Sequence, residues 1–177
     1  MGTITNGSTY YNPSGQAQFV VGYEIISNER ISATQAEILL DIFTSPKDGT
    51  GSTSEAVYGT ASMDNANISL INPNPIGDYK DPYSGITYPG YDSNLGYRLK
   101  ISNKDHGHKN DILNNKIRLK ILLNNITNDN SFTTTLIIKF GTKFGSVSRG
   151  PHEKFKLTNF QIDAPPTYTI KWMNGNT

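Results

Sequence analysis

The residues best suited to touch another molecule lie in one stretch, DYKDPYSGITYPGYD, spanning positions 78–92. Tyr79, Tyr83, Tyr88 and Tyr91 stand there among Pro82, Pro89, Gly85 and Gly90, with Asp78, Asp81 and Asp92 between them. Tyrosine rings stack on the C–H faces of sugars, and neighbouring carboxylates orient sugar hydroxyls. The same rings give large protein contacts at small entropic cost. A third reading has the tyrosines pin their own loop over the core, as amphipathic aromatics do. The first two readings make Tyr79, Tyr83, Tyr88, Tyr91 and Asp92 a ligand-binding set for a glycan or a protein. On the glycan reading, replacing Tyr83 and Tyr88 together by alanine abolishes binding and leaves stability nearly unchanged.

Two weaker constellations accompany the loop. NKDHGHKND brings His106 and His108 to i and i+2 with Asp111 nearby, a spacing that puts two imidazoles on one face of a strand. Gly107 and the flanking Asn and Lys read instead as a turn with two exposed histidines, so the expectation is no bound metal. Asp78, Asp81 and Asp92 are the candidates for a structural calcium, without the spacing of a helix–loop–helix calcium site. Aspartates are also ordinary turn formers, and no cofactor is expected.

Enzyme signatures are missing: the chain has no G-x-S-x-G, phosphate loop, H-E-x-x-H or dinucleotide fingerprint. GTGST and GTKFGS join strand-like segments and lack the lysine placed before Ser/Thr and the following helix of a phosphate cradle. Glu24, Glu37 and Glu55 fall at solvent-facing strand positions, so the expectation is a protein without catalytic residues. N-x-S/T tripeptides such as those at Asn67 and Asn125 arise readily in an Asn-rich chain.

The elements that must carry these residues read as strands. Ala17, Phe19, Val21, Tyr23 and Ile25 share one face, and Ala36, Ile38, Leu40 and Ile42 alternate with Gln35, Glu37, Leu39 and Asp41. Residues 31–42 hold helix-compatible side chains, but the apolar period is two. Further strands are predicted over 55–63, 67–71, 96–102, 116–123 and 132–140. In 96–102, Tyr97, Leu99 and Ile101 point in while Arg98 and Lys100 point out. Phe155 and Leu157 have the opposite parity to Phe160 and Ile162, which calls for a bulge near Thr158 and Asn159. Tyr168, Ile170 and Trp172 close the chain.

The fold class expected is all-β, a β-sandwich of jelly-roll or Ig-like type with about nine strands and one long Tyr/Pro/Gly-rich loop. The domain plan is an N-terminal arm over 1–16, a sandwich over 17–164, and either a last strand or the start of a truncated module over 165–177, set off by Pro165 and Pro166.

Composition bounds the rest. The 177 residues suit one domain, and the absence of cysteine excludes disulfides and thiolate chemistry. Net charge is +1 with 18% charged residues, which argues against nucleic acid as a partner. The mean hydropathy of −0.48 comes from Asn, Thr, Ser, Gly and Tyr, the usage of long-loop β proteins outside cells or on particles. The opening MGTITNGSTYYNPSGQ has neither a basic stretch nor an apolar run, so no signal peptide is read in it and no membrane insertion is expected.

The short polar opening, a strand such as QFVVGYEIISN, and Asn/Thr-rich turns between short strands together resemble bacteriophage minor structural and tail-tip proteins. That resemblance implies a virion structural role (tail, fibre or decoration component) with copies of itself or other virion proteins as partners. It assigns no individual residue. The alternative expectation is a carbohydrate-binding module or adhesin head of a secreted bacterial protein, bound to a cell-surface glycan. The location expected is accordingly virion or extracellular.

Overall fold

A computed structural model of the chain describes residues 7–11, 19–46, 56–71, 77–82, 84–100 and 116–164. Tyr83, His106, His108, Asp111 and the strand expected at 168–172 lie outside the described residues.

The period-two segments form strands wherever they are described. In chain order these are β1 (Gly7–Tyr11), β2 (Phe19–Arg30), β3 (Gln35–Pro46), β4 (Ala56–Met63), β5 (Ala66–Leu70), β6 (Tyr79–Lys80), β7 (Thr87–Tyr88), β8 (Tyr91–Asp92), β9 (Gly96–Lys100), β10 (Lys116–Asn124), β11 (Thr133–Phe144) and β12 (Val147–Gln161). They make a β-sandwich. One five-stranded sheet runs β1-β2-β3-β10-β5, the other runs β12-β11-β4-β9-β8, and β6-β7 is a separate ribbon. The pairings are antiparallel throughout.

Alternation decides which face is buried. Ala36, Ile38, Leu40 and Ile42 of β3, with Ile117, Leu119, Ile121 and Leu123 of β10, meet Val57, Ala61 and Met63 of β4 and Leu136, Ile138 and Phe140 of β11 in one core. A fully buried Ile or Leu contributes about 1.5–3 kcal/mol, so this cluster is the chief source of stability. Gly59 lies on the same face because a Cβ there would stand 2.9 Å from Leu99 Cδ1 and 3.2 Å from Ile42 Cγ2.

Three differences from the sequence reading have physical causes. Residues 7–11, expected in an arm, pair along β2 in the register Gly7↔Tyr23 to Tyr11↔Phe19 and form an edge strand. β12 is longer than expected because its ladder with β11 absorbs irregularities. Two residues, Thr158 and Asn159, oppose Thr135, and further shifts fall at Lys154 and at Gly150–Pro151. The first of these is the bulge that the change of parity required, and Asn159 takes a left-handed φ of 56° there. Finally, the long loop contributes three short strands, β6, β7 and β8.

Polar groups tie the ends. Arg30 donates to the Thr127 carbonyl at 2.7 Å and to that of Asp129 at 2.5 Å, while the Asn28 amide donates to the Gln161 carbonyl at 2.9 Å. On the outer face of the first sheet, Asp41 is buried although its strand neighbours at that face are only partly covered. Arg118, directly across in the register, binds it through Nε–Oδ1 at 2.8 Å and Nη2–Oδ2 at 3.0 Å, and Lys116 pairs with it as well. Burial alone would raise the Asp41 pKa. The Arg118 and Lys116 hydrogen bonds and charges outweigh it and hold the carboxyl below its usual range.

Candidate interaction surface

The tyrosine-rich loop lies over the outer face of the second sheet. Outward positions of β4 carry Ala56 and Tyr58, apolar bodies where a solvated face would be polar. They form a second core with Tyr88 and Leu95, against which Tyr79 and Ile86 pack. Gly141 of β11 makes this possible: a Cβ there would lie 2.6 Å from Leu95 Cδ2 and 2.9 Å from the Arg149 carbonyl.

Hydrogen bonds then fix the loop. In the β6–β7 ribbon Tyr79 pairs with Tyr88 and Lys80 with Thr87. Its turn closes through Asp81 N–H to the Ile86 carbonyl and Gly85 N–H to the Asp81 carbonyl, both 2.8 Å, with Gly85 at a φ of 71° that suits glycine. The Ser84 hydroxyl donates to the buried Asp81 carboxylate at 2.8 Å. The Tyr58 hydroxyl donates to the Pro89 carbonyl at 2.8 Å, and burial pushes its pKa well up. The Tyr88 hydroxyl accepts the Gly145 N–H at 3.3 Å, joining the loop to the turn between β11 and β12.

Arg98, expected to face solvent, is buried because the loop covers it. It donates to the Gly77 carbonyl at 3.2 Å and sits 5.6 Å from the Tyr79 ring centroid, a cation–π distance. Asp78 Oδ1 accepts the Gly90 N–H at 3.1 Å. Asp92 Oδ1 accepts the Asn94 and Leu95 amides at 2.9 and 3.0 Å, and Oδ2 pairs with Lys143 at 3.0 Å. Burial opposes ionisation of Asp92, but the Asn94 amide, Lys143 and the Leu95 amide outweigh it and lower its pKa.

The candidate residues therefore separate. Tyr88 is 0% exposed, Tyr79 is half-buried beside Arg98, and only Tyr91, at 57%, presents its ring to solvent among the described tyrosines of the set. Burial of Tyr88 corrects one expectation: its truncation removes a packed ring and will not leave stability unchanged. Asp78, Asp81 and Asp92 serve three different partners, and among the described residues no group of three or more His, Asp or Glu is gathered for a metal.

The structure adds residues that the sequence reading passed over. Phe144 and Val147, flanking the Gly145–Ser146 turn, are 52% and 53% exposed. With Ile86, Thr87 and Lys143 they line an open concavity of about 710 Å³ between the hairpin and the loop. The available signal was two apolar residues astride a glycine turn in GTKFGSV. Ile71, directly after β5, is a further exposed apolar side chain. Tyr91 rests on Tyr97 with ring centroids 5.0 Å apart, and Tyr97 in turn hydrogen-bonds the Leu70 backbone.

No family model matches the chain, and no curated protein matches it. Among solved structures, the crystal structure of the yeast GGA1 GAE domain is similar at 16% identity and a TM-score of 0.31, over 86% of this chain and 97% of that one.

Proposed function

We propose that this chain is a non-enzymatic structural component of a larger assembly, of the virion kind that its composition and its resemblance suggest, and that it joins copies of itself through apolar groups on the sandwich surface. The observation that carries this reading is where the large side chains go. The loop spends Tyr88 and most of Tyr79 on its own packing, while Tyr91, Ile71, Phe144 and Val147 face outward. Phe144 and Val147 stand together on one hairpin beside the loop, and adjacent exposed apolar groups of this size suit a contact surface. Size-exclusion chromatography with light scattering tests the reading. The expected result is a species heavier than the 19.5 kDa monomer, reduced in mass or weakened in association by Phe144→Ser with Val147→Ser or by Tyr91→Ser. A monomer unchanged by concentration or by these substitutions contradicts it.

The carbohydrate reading is supported by a single exposed ring, Tyr91, beside Asp92. Glycan binding that Tyr91→Ala abolishes would favour it.

A further inference from the structure

The two ends of the sandwich carry opposite charge. At one end hydrogen bonds gather the turns between strands. Arg30 donates to the Thr127 and Asp129 carbonyls, Asn124 N–H to the Asn65 carbonyl at 2.8 Å, Ile126 N–H to the Thr34 carbonyl at 3.1 Å, and the Gln161 amide to the Asn130 carbonyl at 2.9 Å. Across residues 29–35, 63–66, 124–133 and 161–164, which make this end, the charges are Glu29, Asp64, Asp129 and Asp163, all exposed, against Arg30. Ile31, directly after β2, projects from the same end and is 52% exposed. The result is an acidic surface with an apolar knob.

The opposite end presents the β11–β12 turn. The ladder of that hairpin runs from Thr133↔Gln161, at the acidic end, to Phe144↔Val147. Here Phe144, Val147 and Ile86 wall the concavity described above. The exposed charges beside it are cations: Lys80 pairs with Thr87 of the wall, and Arg149 lies two residues beyond Val147. Lys143 lines the concavity itself. Nearby carboxylates are engaged within the copy, since Asp92 pairs with Lys143 at 3.0 Å and Asp81 is buried.

Charge decides which surfaces suit each other. Two acidic ends brought together would oppose like charges, and so would two cationic concavities; such juxtapositions disfavour a pairing. An acidic end set against a cationic concavity brings unlike charges together and seats Ile31 among Ile86, Phe144 and Val147. A contact of this kind is heterologous. Each copy uses one end to hold the copy before it and the other to hold the copy after it, so the contact propagates into a ring or a filament.

We propose that copies of this chain associate head to tail: Ile31 and the carboxylates around it on one copy dock into the concavity bounded by Phe144, Val147 and Ile86 on the next, with Lys80 and Arg149 at its rim facing those carboxylates. This rests on the self-assembly reading above and names the two surfaces that meet.

The experiment blocks each end separately and then combines the blocked chains. Phe144→Ser with Val147→Ser removes apolar walls of the concavity, and Asp64→Lys with Asp163→Lys reverses the sign of the acidic end. All four positions are exposed, so each double variant is expected to keep the wild-type circular dichroism. In light scattering the wild type is expected to grow past the dimer as concentration rises, while each double variant stays at the 19.5 kDa monomer mass. Their equimolar mixture is expected to stop at twice that mass, because the intact acidic end of one variant fits the intact concavity of the other and no further contact is open. If the wild type associates but stops at a dimer, if either variant associates as the wild type does, or if the mixture stays monomeric, head-to-tail docking is wrong while self-assembly stands. If the wild type is monomeric at every concentration, both fall together.

Discussion

Individual residues show best how the loop is held. Tyr88 has no exposed surface, and its hydroxyl accepts the Gly145 amide, so ring and hydroxyl contribute separately. Tyr88→Ala is expected to cost about 3–5 kcal/mol, the usual range for truncating a buried aromatic. Tyr88→Phe is expected to cost about 0.5–1.5 kcal/mol, the net worth of one hydrogen bond. Urea unfolding of both variants checks the difference. Asp41 gives a second prediction, and the sign follows from proton binding. Its folded pKa is lowered, so the unfolded chain binds the proton more readily and stability falls as the medium is acidified. The contribution is present above the unfolded value of about 4 and is lost as pH drops through the lower folded one. Asp41→Asn should therefore destabilise the protein at pH 7 by about 1–3 kcal/mol, less than a fully enclosed pair because Lys116 and Arg118 are partly exposed. The variant's melting temperature should also depend less on pH below 4. A wild-type-like acid profile in the variant would contradict the role given to Asp41.

At the scale of elements, sequence and structure agree wherever a strand has one buried face. The alternation in β3, β10 and β11 identified Ala36, Ile38, Leu40, Ile42, Ile117, Leu119, Ile121, Leu123, Leu136, Ile138 and Phe140 as interior, because a one-residue slip in register would expose them. A change of parity likewise revealed the Thr158–Asn159 bulge. What periodicity could not convey is a face covered by a distant loop. Arg98 and Tyr58 sit at outward positions yet are buried, since the loop over 77–95 packs on them. That contact depends on long-range placement, to which local spacing is blind. Gly141 is the place to test it. Gly141→Ala should push Leu95 and the Arg149 carbonyl away and destabilise by about 1–3 kcal/mol, the range for overpacking. It should also increase hydrogen exchange at the Gly90 and Leu95 amides before the β3 and β10 amides respond. Uniform loss of protection would show that the loop is not a separately anchored layer.

The whole molecule is a sandwich whose two open sides differ. On one side β2 and β12 are stitched by the Asn28–Gln161 bond and the Tyr23–Phe155 contact, with ring centroids 4.8 Å apart. On the other, the turn from β4 into β5 joins the sheets and Tyr97 reaches from β9 to the Leu70 backbone, while Tyr91 and Ile71 face out. The tyrosine set was expected from the sequence to form an interaction surface, but only Tyr91 of its described members points outward, because burial of the others is decided by the second core. Phe144 and Val147 were not legible, since nothing local distinguishes an apolar residue left exposed beside a turn from one that packs. The measurement that tests self-assembly most directly is sedimentation velocity of the unmodified protein over a wide concentration range. Self-assembly requires a sedimentation coefficient that rises with concentration from the value for 19.5 kDa toward that of a dimer or larger species. A single unchanging 19.5 kDa boundary at every concentration would contradict it.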